Sequence, residues 1–140
     1  MIALRFILDT SVIVSAALRS DGLQRAALVI AITKPASLYI SRAIFSEYRE
    51  VLAKSRFRIP RGERHQLLQL IWRRGRVVRP DVTVWVADDP TDDKFLECAE
   101  AVRADYLVTG NVRHFPRFWR GTKIITAREL IEIVAPHRPL

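Results

Sequence analysis

One local pattern constrains this chain more than any other: a short apolar run ends on a residue suited to capping a helix, and helix-period sequence follows. Ala3 to Leu8 ends at Asp9-Thr10-Ser11, Ser37 to Ile40 at Ser41, and Lys123 to Ile125 at Thr126, while a further run, Tyr106 to Val108, ends at Thr109-Gly110-Asn111 with no helix expected after it. Runs this short, bounded by turn and cap residues, read as buried strands. After Ser41, the apolar residues Ile44, Tyr48, Val51 and Leu52 recur at helical spacing. Further helices are expected from about Arg61 to Arg74 and from Thr91 to Arg103, with an extended segment near Arg76 to Arg79 between them. Thr126 and Glu129 stand at the spacing of a capping box that opens a last helix.

Strands separated by helices need right-handed crossovers, so the expected fold is α/β: a three-layer α/β/α sandwich around a parallel sheet. At 140 residues, 49% of them hydrophobic, the chain suits a single domain over residues 1–140 with a substantial core. Its one cysteine, Cys98, has no internal partner, so packing must hold the fold. The apolar opening from Ile2 to Leu18 is interrupted by Arg5 and Asp9, and no run approaches the roughly 20 apolar residues of a membrane span. A soluble, cytoplasmic protein with no membrane partner is the expectation.

Sites in such sheets lie just beyond the carboxyl ends of the strands. Asp9 and Thr109-Gly110-Asn111 fall there, at the same edge. Asp9 closes an apolar strand, where a carboxylate either caps the next helix, worth about 1 kcal/mol, or contacts something else. Glu47 falls beside Ile44 and Val51 on the border of a buried stripe, whereas Glu50 points further out. Asp88, Asp89, Asp92 and Asp93 crowd one helix start. The helix dipole favours one or two of them there, but four together repel unless a cation or a basic group offsets them. With the neutral oxygen of Asn111, the set Asp9, Glu47, Asp93 and Asn111 offers hard oxygen ligands suited to Mg²⁺ or Mn²⁺.

The formal net charge of +8 steers polyanions toward the surface. Between Lys54 and Arg79, nine basic residues face a single acid, Glu63. Arg73 and Arg74 are candidates there for phosphate contacts, against the alternative of a solvated helix face. Arg113, Arg117, Arg120 and Lys123 are interleaved with Phe115, Phe118 and Trp119. Aromatics beside cations can stack bases while holding phosphates, or simply pack a loop onto the core.

Taken in order, these segments resemble the PIN-domain ribonucleases, in particular the toxin components of bacterial and archaeal type II toxin–antitoxin pairs. Leu8-Asp9-Thr10-Ser11-Val12 resembles the family's opening motif, and Ser46-Glu47-Tyr48 with Val51-Leu52 its second. Asp89-Pro90-Thr91-Asp92-Asp93-Lys94-Phe95-Leu96-Glu97 and Ala104-Asp105-Tyr106-Leu107-Val108-Thr109-Gly110-Asn111 resemble the third and fourth. The resemblance spans nearly the whole chain. It implies strand order 3-2-1-4-5, RNA cleavage with Mg²⁺ or Mn²⁺, a homodimer and a cognate antitoxin. It also implies Asp9, Glu47 and Asp93 as metal ligands and catalytic residues with Asn111, supported by Thr10, Ser11, Thr109 and a capping Asp92. Many relatives carry Asp where this chain has Asn111 or His114, and a neutral ligand weighs against a tightly held second metal.

The reaction expected is metal-assisted hydrolysis of a phosphodiester, with no side-chain nucleophile. Arg73, Arg74, Arg113 and Arg117 would position the strand without reading its sequence. A haloacid-dehalogenase-like phosphatase would need a second Asp where Ser11 stands. Cys98 lies mid-helix, and His65, His114 and His137 lack partner motifs for nucleophilic catalysis. The remaining alternative is a nucleic-acid-binding or regulatory domain of the same fold that does not cut.

Overall fold

A computed structural model describes residues 3–87 and 89–135. Asp88 and His137 therefore lie outside the described residues. Strand β1 (Arg5–Leu8) leads into helix α1 (Thr10–Leu18), and α2 (Leu23–Ala31) follows after a short break. Strand β2 (Ser37–Ile40) feeds α3 (Arg42–Leu52), then α4 (Arg61–Arg74) and the two-residue strand β3 (Arg76–Val77). Helix α5 (Asp93–Val102), strand β4 (Tyr106–Val108), the hairpin β5 (Phe118–Trp119) and β6 (Thr122–Ile125), and helix α6 (Ala127–Val134) complete the chain.

The sheet order is β3-β2-β1-β4-β6-β5. The first five strands in that list are parallel and reproduce the expected 3-2-1-4-5 arrangement, with β6 as its fifth member. One edge strand adds to the expected central parallel sheet: β5 pairs antiparallel with β6, Trp119 opposite Thr122. A two-residue connection makes this possible, with Arg120 in the left-handed region at φ 56°. Two residues are too short a run to show strand periodicity in sequence.

Phe6, Ile7 and Leu8 are all fully buried. Successive strand residues point to opposite faces, so both faces of β1 are covered, as a three-layer architecture requires. Helix α5 packs on β1, β2 and β4, while α2 packs on β1 and α6.

The cap signals act as read at two helices. Ser41 Oγ accepts from the Ile44 amide at 3.2 Å, and Thr126 and Glu129 form both bonds of the capping box at 3.1 and 3.0 Å. The break before α5 differs from a continuous helix begun at Thr91. Pro90–Asp92 form a single 3-10 turn, and α5 starts only at Asp93. That change of winding sets which acid faces the cleft.

Candidate active site

The carboxyl ends of β1 and β4 lie side by side, with Leu8 opposite Val108. Asp9 and Thr109 are the next residues on each strand, and Thr109 Oγ1 donates to Asp9 Oδ2 at 2.7 Å. Ser11 Oγ donates to the same oxygen at 2.8 Å. Asp9 occupies the N-cap position of α1 yet makes no side-chain cap bond, so capping does not account for it. The neighbouring turn interlocks with this arrangement. Gly110 N donates to Ser11 Oγ at 3.0 Å, and Asn111 N to Thr109 Oγ1 at 2.9 Å. Asp9 is 5% exposed. Burial raises its carboxyl above the usual range, the Thr109 and Ser11 hydroxyls oppose that, and the Glu47 charge adds to it.

Glu47 comes from α3, which Tyr48 anchors by donating its hydroxyl to the Leu8 carbonyl at 2.5 Å inside the core. Both Glu47 oxygens are engaged. Thr10 Oγ1 donates to Oε2, and Lys94 Nζ stands 2.5 Å from Oε1. Lys94 is the first residue after Asp93 in α5, and nothing in the sequence periodicity singles it out.

Asp92 and Asp93 occupy different surroundings, and Asp93, the one expected from sequence to bind metal, is not the one that lines the cleft. Asp92 lines the same cleft as Asp9, Glu47 and Asn111. Its carboxyl is pushed up to about 6, first by burial and then by the charges of Asp9, Asp89 and Glu47. Asp93 is buried, and its Oδ1 accepts the amides of Val86 at 3.1 Å and Ala87 at 2.8 Å. One turn on, Glu97 Oε2 accepts the Val84 amide at 3.1 Å. Asp93 and Glu97 thus pin the 84–87 segment along α5. The physical reason is the 3-10 turn, whose tighter winding shifts the phase from that of an α-helix begun at Thr91.

The cleft encloses about 460 Å³, and its lining also includes Thr10, Ser11, Asp89, His114, Lys54 and Arg56. Asp89 Oδ1 accepts from the backbone and hydroxyl of Thr91 at 3.0 and 2.8 Å. Those bonds hold its carboxyl below the usual range. Lys54 and Arg56, from the basic stretch after α3, supply the cationic rim. Arg73 lies elsewhere, in a groove between α3 and α4 beside Phe45 and Trp72, and Arg74 is the exposed last residue of α4. Arg113 and Arg117 line a third depression with Phe118 and Lys123. The 3-10 turn Val112–His114 connects it with the cleft, since His114 lines one and Val112 and Arg113 line the other. Cys98, buried in α5 with its thiol pushed up to about 12 by burial, is no nucleophile.

Among the described residues, no three acidic, histidine or cysteine side chains already converge as a complete ligand set. The donor chemistry nonetheless fits a hard divalent cation. Asp9, Glu47, Asp92 and Asn111 bring only oxygen ligands to one cleft, and two of the acids are raised by burial and mutual repulsion that a cation would relieve.

A family model described as PIN domain matches residues 5–113. Among solved structures, the chain is similar to one described as VapBC2 from Rickettsia felis bound to a DNA fragment from their promoter. The TM-score is 0.63 at 15% identity, over 88% of this chain and 98% of that one. At this identity the likeness is one of fold. No curated protein matches the chain.

Proposed function

Since the chain belongs to the PIN-domain family, whose members are in general nucleases, we propose that it is a divalent-metal-dependent endoribonuclease and the toxin of a toxin–antitoxin pair. The observation that carries this reading is the convergence of Asp9, Glu47 and Asp92 on one cleft at the carboxyl edge of the sheet. We assign the metal to these three acids with Asn111. Asp93, which the sequence register favoured as the third ligand, becomes a positioning residue for the 84–87 segment. A bound Mg²⁺ or Mn²⁺ supplies Lewis acidity to the phosphoryl group and acidifies water.

The protein's own groups do the rest. Thr109 and Ser11 aim Asp9 and favour its charged form, as hydroxyls donating to a carboxylate do. Thr10 holds Glu47. Lys54 and Arg56 attract the phosphodiester to the rim, and Arg113 and Arg117 continue that path past the Val112–His114 turn. Asn111 and His114 stand where many relatives carry further acids, which favours a single tightly held metal.

The antitoxin partner rests on the sequence resemblance and on the likeness to a VapBC2 structure, and the homodimer on the sequence resemblance alone. No helix among the described residues is long and apolar enough to cross a membrane, and the proposed place of action is the cytoplasm. The test is incubation with single-stranded RNA and with DNA, with and without Mn²⁺, beside Asp9→Asn. Cleavage of RNA that requires Mn²⁺ and disappears in the variant supports the reading. Binding without cleavage under all conditions replaces it with a regulatory module of the same fold.

A further inference from the structure

We propose that Lys94 is a stand-in cation: in the metal-free protein its ammonium occupies Glu47, and divalent metal loads by displacing it. This rests on the metal-dependent reading above and adds a control over it. Lys94 Nζ lies 2.5 Å from Glu47 Oε1, with the two side chains 21% and 19% exposed. A contact this short in a half-sheltered place differs from a solvent-screened surface pair. Thr10 Oγ1 takes the other oxygen, so neither Glu47 oxygen is free of an internal donor.

Lys94 does not line the cleft, although Glu47 does. The ammonium reaches Glu47 from the α5 side. Its charge joins those of Lys54 and Arg56 in offsetting the acids Asp9, Glu47, Asp89 and Asp92 around the cleft. The same charge opposes an incoming cation at close range. Lys94 thus trades stability of the metal-free state against metal affinity. The ammonium also stands over the Phe95 ring, 6.0 Å from its centre.

The experiment compares the wild type with Lys94→Met, which keeps the stem and removes the charge, and with Lys94→Arg, which keeps a charge. Mn²⁺ affinity is measured by calorimetry and melting temperature with and without Mn²⁺. The expected result is Mn²⁺ binding at least tenfold tighter in Lys94→Met, a lower melting temperature for that variant without metal, and a gap that closes when Mn²⁺ is added. Lys94→Arg should lie near the wild type. Equal or weaker Mn²⁺ binding by Lys94→Met overturns the proposal, while Mn²⁺-dependent RNA cleavage by the wild type would leave the nuclease reading standing. A second measurement needs no variant: acylation of Lys94 in the wild type, read by mass spectrometry, should rise on adding Mg²⁺ as the ammonium is released. Labelling that stays constant overturns the proposal even if Lys94→Met does not fold.

Discussion

Asp92 and Asp93 are consecutive residues, yet Asp92 lines the cleft among other acids while the Asp93 carboxylate is buried under the amides of Val86 and Ala87. The two should therefore fail differently when neutralised. Asp92→Asn is expected to lose Mn²⁺ binding and most RNA cleavage while keeping or gaining stability, because it relieves repulsion with Asp9, Asp89 and Glu47. Asp93→Asn should keep measurable metal binding and lose about 1.5–3 kcal/mol of stability, the usual scale for hydrogen bonds to a charged group. Calorimetry and denaturant unfolding of both variants check this. A loss of metal binding confined to Asp93→Asn would return the third ligand to the position that the sequence register favoured.

That pair also marks the limit of what the sequence made legible. The strand ends at Asp9 and Thr109, the caps at Ser41 and Thr126, and the order of the five parallel strands follow from local apolar runs, cap chemistry and the motif resemblance, which one sequence displays. The phase at Asp92 depends on a three-residue 3-10 turn, and the Asp93 carboxylate on a loop whose amides meet it only after folding. Lys94 carried no signal because its partner lies 47 positions away. The basic residues were legible as a footprint but not as places: Lys54 and Arg56 line the cleft, whereas Arg73 faces a different groove.

The raised carboxyls give the metal-free protein a pH dependence with a definite sign. Asp9 and Asp92 take up protons more readily in the folded state than in the unfolded chain. Stability from this source is present at low pH and is lost as pH rises through the folded-state values, which for Asp92 is about 6. With EDTA present, the melting temperature should be higher at pH 5 than at pH 7.5, and Asp92→Asn should flatten the difference. Mn²⁺ affinity should move the other way, weakening as pH falls below about 6, because a ligand must be deprotonated. A metal-free protein that is more stable at pH 7.5 than at pH 5, with the trend unchanged in Asp92→Asn, would contradict the assignment.

Thr109 ties the two central strand ends together through a hydroxyl that donates to Asp9 and accepts from the Asn111 amide. Thr109→Val preserves shape and removes both bonds. The expected loss is about 1–3 kcal/mol of stability, since the buried Asp9 carboxyl loses one of its two hydroxyl donors and the Asn111 amide loses its acceptor, together with at least tenfold slower cleavage. Thr109→Ser should restore most of both. If Thr109→Val cleaves RNA at the wild-type rate, the hydroxyl has no part in aiming Asp9.

Two basic surfaces compete for the RNA strand, and their relation to the cleft distinguishes them. Arg113, Arg117 and Lys123 surround Phe118, which is 61% exposed, in a groove of about 510 Å³ that the Val112–His114 turn connects to the acidic cleft. A strand leaving the cleft over His114 would meet cations for its phosphates and an aromatic face for one base. Arg73 shares a groove with Phe45, Arg49 and Trp72 on α3 and α4, and none of these four lines the cleft. Reversing Arg113 and Arg117 to Glu in an Asp9→Asn background should therefore weaken oligonucleotide binding more than reversing Arg73 and Arg74. It should also lower the slope of log affinity against log salt by roughly 0.7 for each single-strand phosphate that is no longer neutralised. Phe118→Ala should weaken binding with the slope unchanged, because stacking releases no counterions. Binding titrations at three or more salt concentrations separate these outcomes. If Arg73→Glu with Arg74→Glu produces the larger loss of affinity and the larger change of slope, the strand runs across α4 and the groove at Phe118 is a packing feature.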